Sequence, residues 1–152
     1  MPEITFRLAT QSDKQAIIDF QIKMAKETED LELTDETLSL GIQKLFDEPY
    51  RGVYYVCESE NKVMASMLTI PEWSEWRNGD VLWIHSVYVI PEFRGTGVFR
   101  KMYEFFKQKV ESDDSLKGLR LYVEKENVKA QKAYEAVGMT KEHYEMYEWL
   151  KE

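Results

Sequence analysis

The spacing of hydrophobic positions changes several times along the chain. Residues 4–8 alternate between apolar and polar side chains, which predicts a half-buried strand. The segments after Ser12 and after Thr34 instead repeat apolar residues at helical spacing. Ser12 opens a capping-box pattern and Thr34 is a suitable helix cap. This part of the chain therefore predicts a strand followed by two helices.

From Gly52 onward the pattern becomes β-rich. Residues 60–61 and 78–79 are turn formers that separate three apolar runs, GVYYVCE, KVMASMLTI and DVLWIHSVYVI. These runs predict three successive antiparallel strands. An amphipathic helix follows Gly97 and extends to about Glu111, and GLRLYVE after it is a short strand.

The C-terminal region continues the alternation of helix and strand. Asn127 is suited to cap a helix that ends at Gly138, and MTKEHYEMYEWL then predicts a last strand. No linker or repeat interrupts the order of elements, so we expect one α+β domain over residues 1–152. A mixed central sheet with helices on its faces would close such a domain.

The composition of the chain indicates which binding partners and which cellular compartment to expect. The chain has 152 residues and a formal net charge of −8, which disfavours binding to nucleic acid or to an anionic membrane. Its single cysteine, Cys57, cannot form an intrachain disulfide, so we expect a reducing, cytoplasmic environment. The sequence also has no segment of about 20 apolar residues and no signal-peptide pattern.

The segment with the clearest chemistry is a glycine-containing loop between a predicted buried strand and a predicted helix. Gly95 and Gly97 follow Arg94 there, and the free N–H groups of the helix's first turn would form an anion site. On its own, this segment could equally be a tight turn without a ligand. It matches neither the Walker phosphate loop nor the dinucleotide GxGxxG pattern.

This loop resembles the acetyl-CoA signature of the GNAT superfamily of N-acetyltransferases. The signature is Arg or Gln, two residues, Gly, one residue, then Gly or Ala. Arg94 and Gly97 match it, while Phe99 stands where Gly or Ala is usual. VYVIP at 87–91 and NVKAQKAYEAVGM at 127–139 also resemble family segments. The resemblance implies a mixed, mostly antiparallel sheet of about six to seven strands with about four helices.

The resemblance also implies how acetyl-CoA would bind as co-substrate. Backbone N–H groups of residues 95–99 would hold the pyrophosphate, and the backbone of residues 87–89 would pair with the pantetheine arm. Arg100 would reach a nucleotide phosphate or would simply be solvated. The implied cofactor-binding residues are Val87, Tyr88, Val89, Arg94, Gly95, Thr96, Gly97, Val98, Phe99, Arg100 and Asn127.

Three residues are candidates for the chemistry of acetyl transfer to an amine. Tyr134 occupies the position at which the family carries a tyrosine near the CoA sulfur, although it could be a core aromatic. His85 suits a general base at neutral pH or is a packed residue of its strand. The Val87 N–H group would polarise the thioester carbonyl. No residues have metal-ligand spacing, so no metal is predicted.

The acceptor is the least defined part of the prediction. Glu27 and Glu29 lie in an acidic stretch that would attract a cationic small-molecule or peptide amine, or would only be solvated. Trp73 and Trp76 could stack on an acceptor or form a dimer contact, and the aromatics of the last strand suggest sheet packing or a homodimer. The alternatives to an acetyltransferase are a non-catalytic acyl-CoA sensor and an interaction domain.

Overall fold

A five-stranded sheet forms the centre of the computed structural model, which describes residues 3–141 and 143–151. The spatial order follows the chain order, and the strands are β1 (Thr5–Leu8), β2 (Val53–Ser59), β3 (Lys62–Ser74), β4 (Gly79–Val89) and β5 (Leu116–Leu121). Strands β1 to β4 pair antiparallel, whereas β5 is parallel to β4. The predicted mixed, mostly antiparallel sheet is therefore confirmed.

Four α-helices accompany the sheet, as predicted. They are α1 (Lys14–Glu29), α2 (Asp35–Asp47), α3 (Val98–Glu111) and α4 (Val128–Ala136). The Asn127 side chain accepts a hydrogen bond from the Ala130 N–H (3.1 Å) and so caps α4 as expected. Across the described ranges, no helix is both long and apolar enough to cross a membrane.

The predicted strand count of about six to seven is wrong, because the last segment does not join the sheet. Residues 143–151 contain no strand, and Glu142 and Glu152 lie outside the described residues. A strand is defined by its partner, and in the described part of the chain this segment has none. Tyr147 and Trp149 are 94% and 86% exposed, although their alternation is typical of a strand.

Alternating side chains of β2 divide the core between the two faces of the sheet. Tyr54 and Val56 pack in a cluster with Ile17 of α1 and Ile42 of α2. Tyr55 packs instead against the ring of Phe106 of α3, with centroids 5.0 Å apart. The helices that were predicted from apolar spacing therefore cover opposite faces of the sheet.

An ion network joins β1, β2 and the start of α1. Arg7 donates to Asp13 at 2.8 Å and to Glu58 at 2.7 Å. The Asp13 carboxylate also accepts the Thr10 N–H at 2.7 Å, so the helical segment begins with a turn at Gln11–Asp13 and the predicted cap at Ser12 is wrong. Burial tends to raise the pKa of Asp13, but the bonds from Arg7 and Thr10 outweigh burial and lower it.

We expect Asp13→Asn to lower the free energy of unfolding at neutral pH by about 2 kcal/mol, because it removes the more buried of the two carboxylates that pair with Arg7. The native pKa of Asp13 is lowered, so its contribution is complete above the unfolded pKa and is lost as pH falls through the native one. Urea denaturation across this pH range measures the difference. The exposed Asp19→Asn is the control, and equal losses in both variants would contradict the network's role.

Candidate active site

The backbone of β4 carries an irregularity near its C-terminal end. Ser66 of β3 pairs with Tyr88, and Leu68 pairs with His85, so one residue of β3 faces two residues of β4. Ser86 adopts a left-handed φ of 54°, which identifies a β-bulge. The bulge interrupts the regular alternation of side chains along β4 between His85 and Val89.

Strands β4 and β5 separate just before this bulge. Their parallel pairing runs from Asp80 with Leu116 to Ile84 with Leu121, where β5 ends. Strand β4 continues to Val89 without a β5 partner. Its backbone on that side is therefore available to an extended ligand, which could bind as an added strand does.

The predicted phosphate loop lies between this free part of β4 and helix α3. Gly95 and Gly97 adopt left-handed φ values of 77° and 88°, and a Cβ atom added to either would meet no atom within 4 Å. The first helical hydrogen bond of α3 is donated by Lys101 to Gly97. The N–H groups before Lys101 thus precede the helical ladder and form a cradle suited to an anion.

Arg94 links this loop to strand β4 and to helix α1 by hydrogen bonds. Its Nε donates to the Val89 carbonyl at 2.8 Å, and its Nη2 donates to the Glu27 carboxylate at 2.9 Å. The guanidinium also lies 5.2 Å from the centroid of the Tyr88 ring. Arg94 therefore positions the loop against α1, and the charge of Glu27 is already paired. Glu29 lies exposed two residues farther along α1.

Phe99 and Tyr134 lie against each other between α3 and α4. Their ring centroids are 5.0 Å apart, and Phe99 is half-buried against the core that includes α3. Its ring therefore packs toward α4. Burial raises the pKa of Tyr134, so its hydroxyl keeps its proton at neutral pH. Arg100 donates to the Ala136 carbonyl at 3.4 Å and links the same two helices.

His85 belongs to an aromatic group on β4 and the end of β5. The ring of Tyr122 stacks on that of Trp83 with the ring centroids 4.5 Å apart, and its centroid lies 5.6 Å from that of the His85 ring. Burial lowers the pKa of His85 below 6.5, so its imidazole is neutral at pH 7. Tyr122 was not predicted as a site residue from the sequence. Its position in GLRLYVE, at the end of the strand that pairs with β4, could have indicated that it lies near the site.

Trp73 and Trp76 lie away from this cluster. Trp73 pairs with Asp80 near the start of β4, six residues from the bulge at Ser86, which is about 20 Å along the strand. Both tryptophans are largely exposed, at 62% and 86%. His85 and the bulge at Ser86 are adjacent on β4, and Arg94 connects the glycine loop to Val89 of the same strand. Within residues 3–141 and 143–151, no group of three or more potential ligands could hold a metal ion.

A match to a known protein family spans most of the chain. The profile of the acetyltransferase (GNAT) family matches residues 16–139. This range contains most of α1 and all of the bulged strand, the glycine loop and α4. A search of the curated proteins gives no match.

Solved structures of acetyltransferases share the fold over nearly the whole chain. A possible acetyltransferase from Clostridium difficile 630 is 40% identical, with a TM-score of 0.91 and 97% of each chain covered. Glucosamine-6-phosphate N-acetyltransferase from Arabidopsis thaliana is 24% identical, with a TM-score of 0.73 and coverage of 98% of this chain and 99% of that one. A predicted acetyltransferase from Clostridium acetobutylicum, solved with acetyl-CoA, is 17% identical, with a TM-score of 0.73 and coverage of 98% and 95%.

Proposed function

Since the chain belongs to the acetyltransferase (GNAT) family and is an N-acetyltransferase, we propose that it binds acetyl-CoA beside the free part of β4 and transfers the acetyl group directly to an amine. The observation that carries the proposal is the separation of β4 from β5 next to the glycine loop. Family membership favours this enzyme over the acyl-CoA sensor and the interaction domain.

The proposed site for acetyl-CoA, the acetyl donor, is formed by backbone groups more than by side chains. The N–H groups of residues 95–99 bind the pyrophosphate, and the backbone of residues 87–89 pairs with the pantetheine arm. Left-handed φ values at Gly95 and Gly97, with open space beside both, fit a ligand that approaches the backbone closely. Acetyl-CoA supplies the acetyl group in activated form, as a thioester.

Three groups serve the transfer. Neutral His85 accepts a proton from the attacking amine, directly or through water. The N–H of Val87, beside the bulge, stabilises negative charge on the carbonyl oxygen. The Tyr134 hydroxyl, whose pKa is raised further by burial, protonates the departing thiolate. Each group therefore has the protonation state that its role requires.

We propose a small-molecule or peptide amine as the acceptor. Glu29 at the end of α1 is exposed and would attract a cation, while Glu27 is engaged by Arg94. The Arabidopsis structure is that of an enzyme named for an amino sugar phosphate, so amino sugars belong in any panel of acceptors. A cytoplasmic location and a homodimer remain parts of the proposal.

Acetyl-CoA should raise the melting temperature, because a ligand at 100 times its dissociation constant adds about 2.7 kcal/mol to stability. ATP and NAD at equal concentration are the controls, since the loop lacks their motifs. A thiol-release assay with amino sugars, polyamines and peptides then tests transfer. Failure of both CoA and acetyl-CoA to stabilise the protein would refute the donor site. Stabilisation without thiol release for any amine would favour the sensor.

Tyr134→Phe should lower kcat by about 100-fold, because the thiolate then leaves without its proton donor. The affinity for acetyl-CoA, measured by calorimetry, should stay near the wild-type value because the ring is retained. Tyr50→Phe makes the same chemical change at a side chain that is 70% exposed and serves as the control. Equal turnover in wild type and Tyr134→Phe would exclude the hydroxyl as the acid.

His85→Ala should remove the acid limb of the pH profile of kcat/KM. That limb lies below pH 6.5 in the wild type, because burial lowers the pKa of His85 and activity requires the neutral imidazole. His143→Ala changes the other histidine, which is exposed, and should keep the limb. An acid limb that persists unchanged in His85→Ala would assign the base to another group.

A further inference from the structure

A patch of aromatic and charged side chains extends from His85 across β4 and the end of β5. Trp83 of β4 pairs with Arg120 of β5, and the Arg120 guanidinium lies 5.9 Å from the centroid of the Trp83 ring. Tyr122 follows β5 and lies between the rings of Trp83 and His85. Side chains two residues apart on a strand share a face, so these four side chains form one continuous surface, which we call the β4–β5 patch.

The patch lies on the same face of the sheet as α1 and α2. Leu68 of β3 pairs with His85, and Leu68 packs in the cluster that contains Ile17 of α1 and Ile42 of α2. Side chains that are directly paired across two strands point to the same face. Tyr122 is 51% exposed, so solvent reaches the patch beside these helices.

Arg120 has hydrogen-bond donors to spare. Its Nη1 donates to the Glu72 carboxylate at 3.1 Å, and among the described residues its side chain makes no other hydrogen bond. A guanidinium carries five N–H donors in a planar fork that matches a carboxylate or a phosphate. Arg77, in the turn that follows β3, lines the same groove as Arg120 and Glu72 and adds a second positive charge.

A purely structural role for the Glu72–Arg120 ion pair is the weaker account. The two side chains are 53% and 28% exposed, and ion pairs of such exposure contribute little to stability. Strands β3 and β5 are each already paired with β4, so the sheet does not depend on this contact. The carboxylate instead holds the guanidinium over the patch.

We propose that Arg120 binds an anionic group of the acceptor, a carboxylate or a phosphate, while the amine of the same molecule lies at His85. The inference rests on the proposed function, because it takes His85 as the end of the site at which the amine reacts. Arg120 pairs with the residue two positions before His85, so the Cα atoms of Arg120 and His85 are about 8 Å apart. The acceptor is therefore an amine with a negative charge several bonds from its nitrogen.

One groove connects Arg120 with the proposed proton donor. Its volume of about 970 Å³ is sufficient for a small molecule, and its walls include Arg120, Tyr122 and Tyr134. The rings of Trp83 and Tyr122 lie between the two ends of the proposed acceptor and would contact its carbon skeleton. The anion and the amine would thus be held at opposite ends of an aromatic surface.

Matched pairs of amines test the inference by calorimetry on the full chain. Glucosamine 6-phosphate and glucosamine differ by a phosphate, and 6-aminohexanoate and its primary amide differ by the charge of a carboxylate. The anionic member of at least one pair should bind about 30-fold more tightly than its counterpart, because a guanidinium forms its strongest hydrogen bonds with anionic oxygens. The pair that shows the preference identifies the anion.

Arg120→Gln should raise the Kd of the preferred anionic amine by about 30-fold and leave that of its counterpart unchanged. Arg120→Lys should recover part of the loss, because it keeps the charge but not the fork. Glu72→Gln should lower the same Kd by about threefold, because it frees a donor and removes a negative charge. Arg51→Gln is the control, since Arg51 forms a similar ion pair with Glu48 at 2.9 Å and does not line the groove. Melting curves should show that all variants are folded.

The absence of an anion preference in both pairs would overturn the inference, as would a preference that persists in Arg120→Gln. Equal effects of Arg120→Gln and Arg51→Gln would also overturn it. Thiol release with acetyl-CoA then separates this inference from the proposed function. Transfer to amines without any preference for an anion would overturn the inference alone. Arg120-dependent binding without thiol release would support the anion site and contradict the transfer reaction.

Discussion

The separation of β4 from β5 is the constraint on which the rest of the site depends. Strand β4 keeps its antiparallel bonds to β3 beyond the bulge, so it remains fixed in the sheet after β5 has ended at Leu121. A strand that is held on one side and free on the other can accept a ligand without losing its own place. The glycine loop and α3 follow directly, so an anion cradle lies beside the free edge.

Burial acts in opposite directions on the two candidate proton carriers. It raises the pKa of Tyr134 and lowers the pKa of His85, because in each case the charged form is disfavoured. The result is a neutral acid and a neutral base at the same pH. The same desolvation would favour a neutral amine, which is the nucleophilic form of the acceptor. One physical effect can thus prepare all three groups, without a metal ion in the proposed chemistry.

Sequence patterns predicted the elements well where the signal is local. Apolar spacing indicated all four helices, and glycine between strand and helix indicated the loop at 94–99. The bulge was not predicted, because serine gives no sign of a left-handed φ at Ser86. The Glu27–Arg94 ion pair was not predicted either, since it joins residues far apart in the chain. The three-dimensional arrangement of the candidate groups could not be read from spacing alone.

The last segment shows the limit of such patterns most clearly. Its alternation indicates strand character, yet a strand is completed only by the backbone that pairs with it. Within one described chain that backbone is absent, while β5 has an edge that lacks a strand. Natural sheets protect such edges with charge, proline or a covering element. In β5 the edge instead faces a groove lined by Leu119, Leu121 and Tyr103.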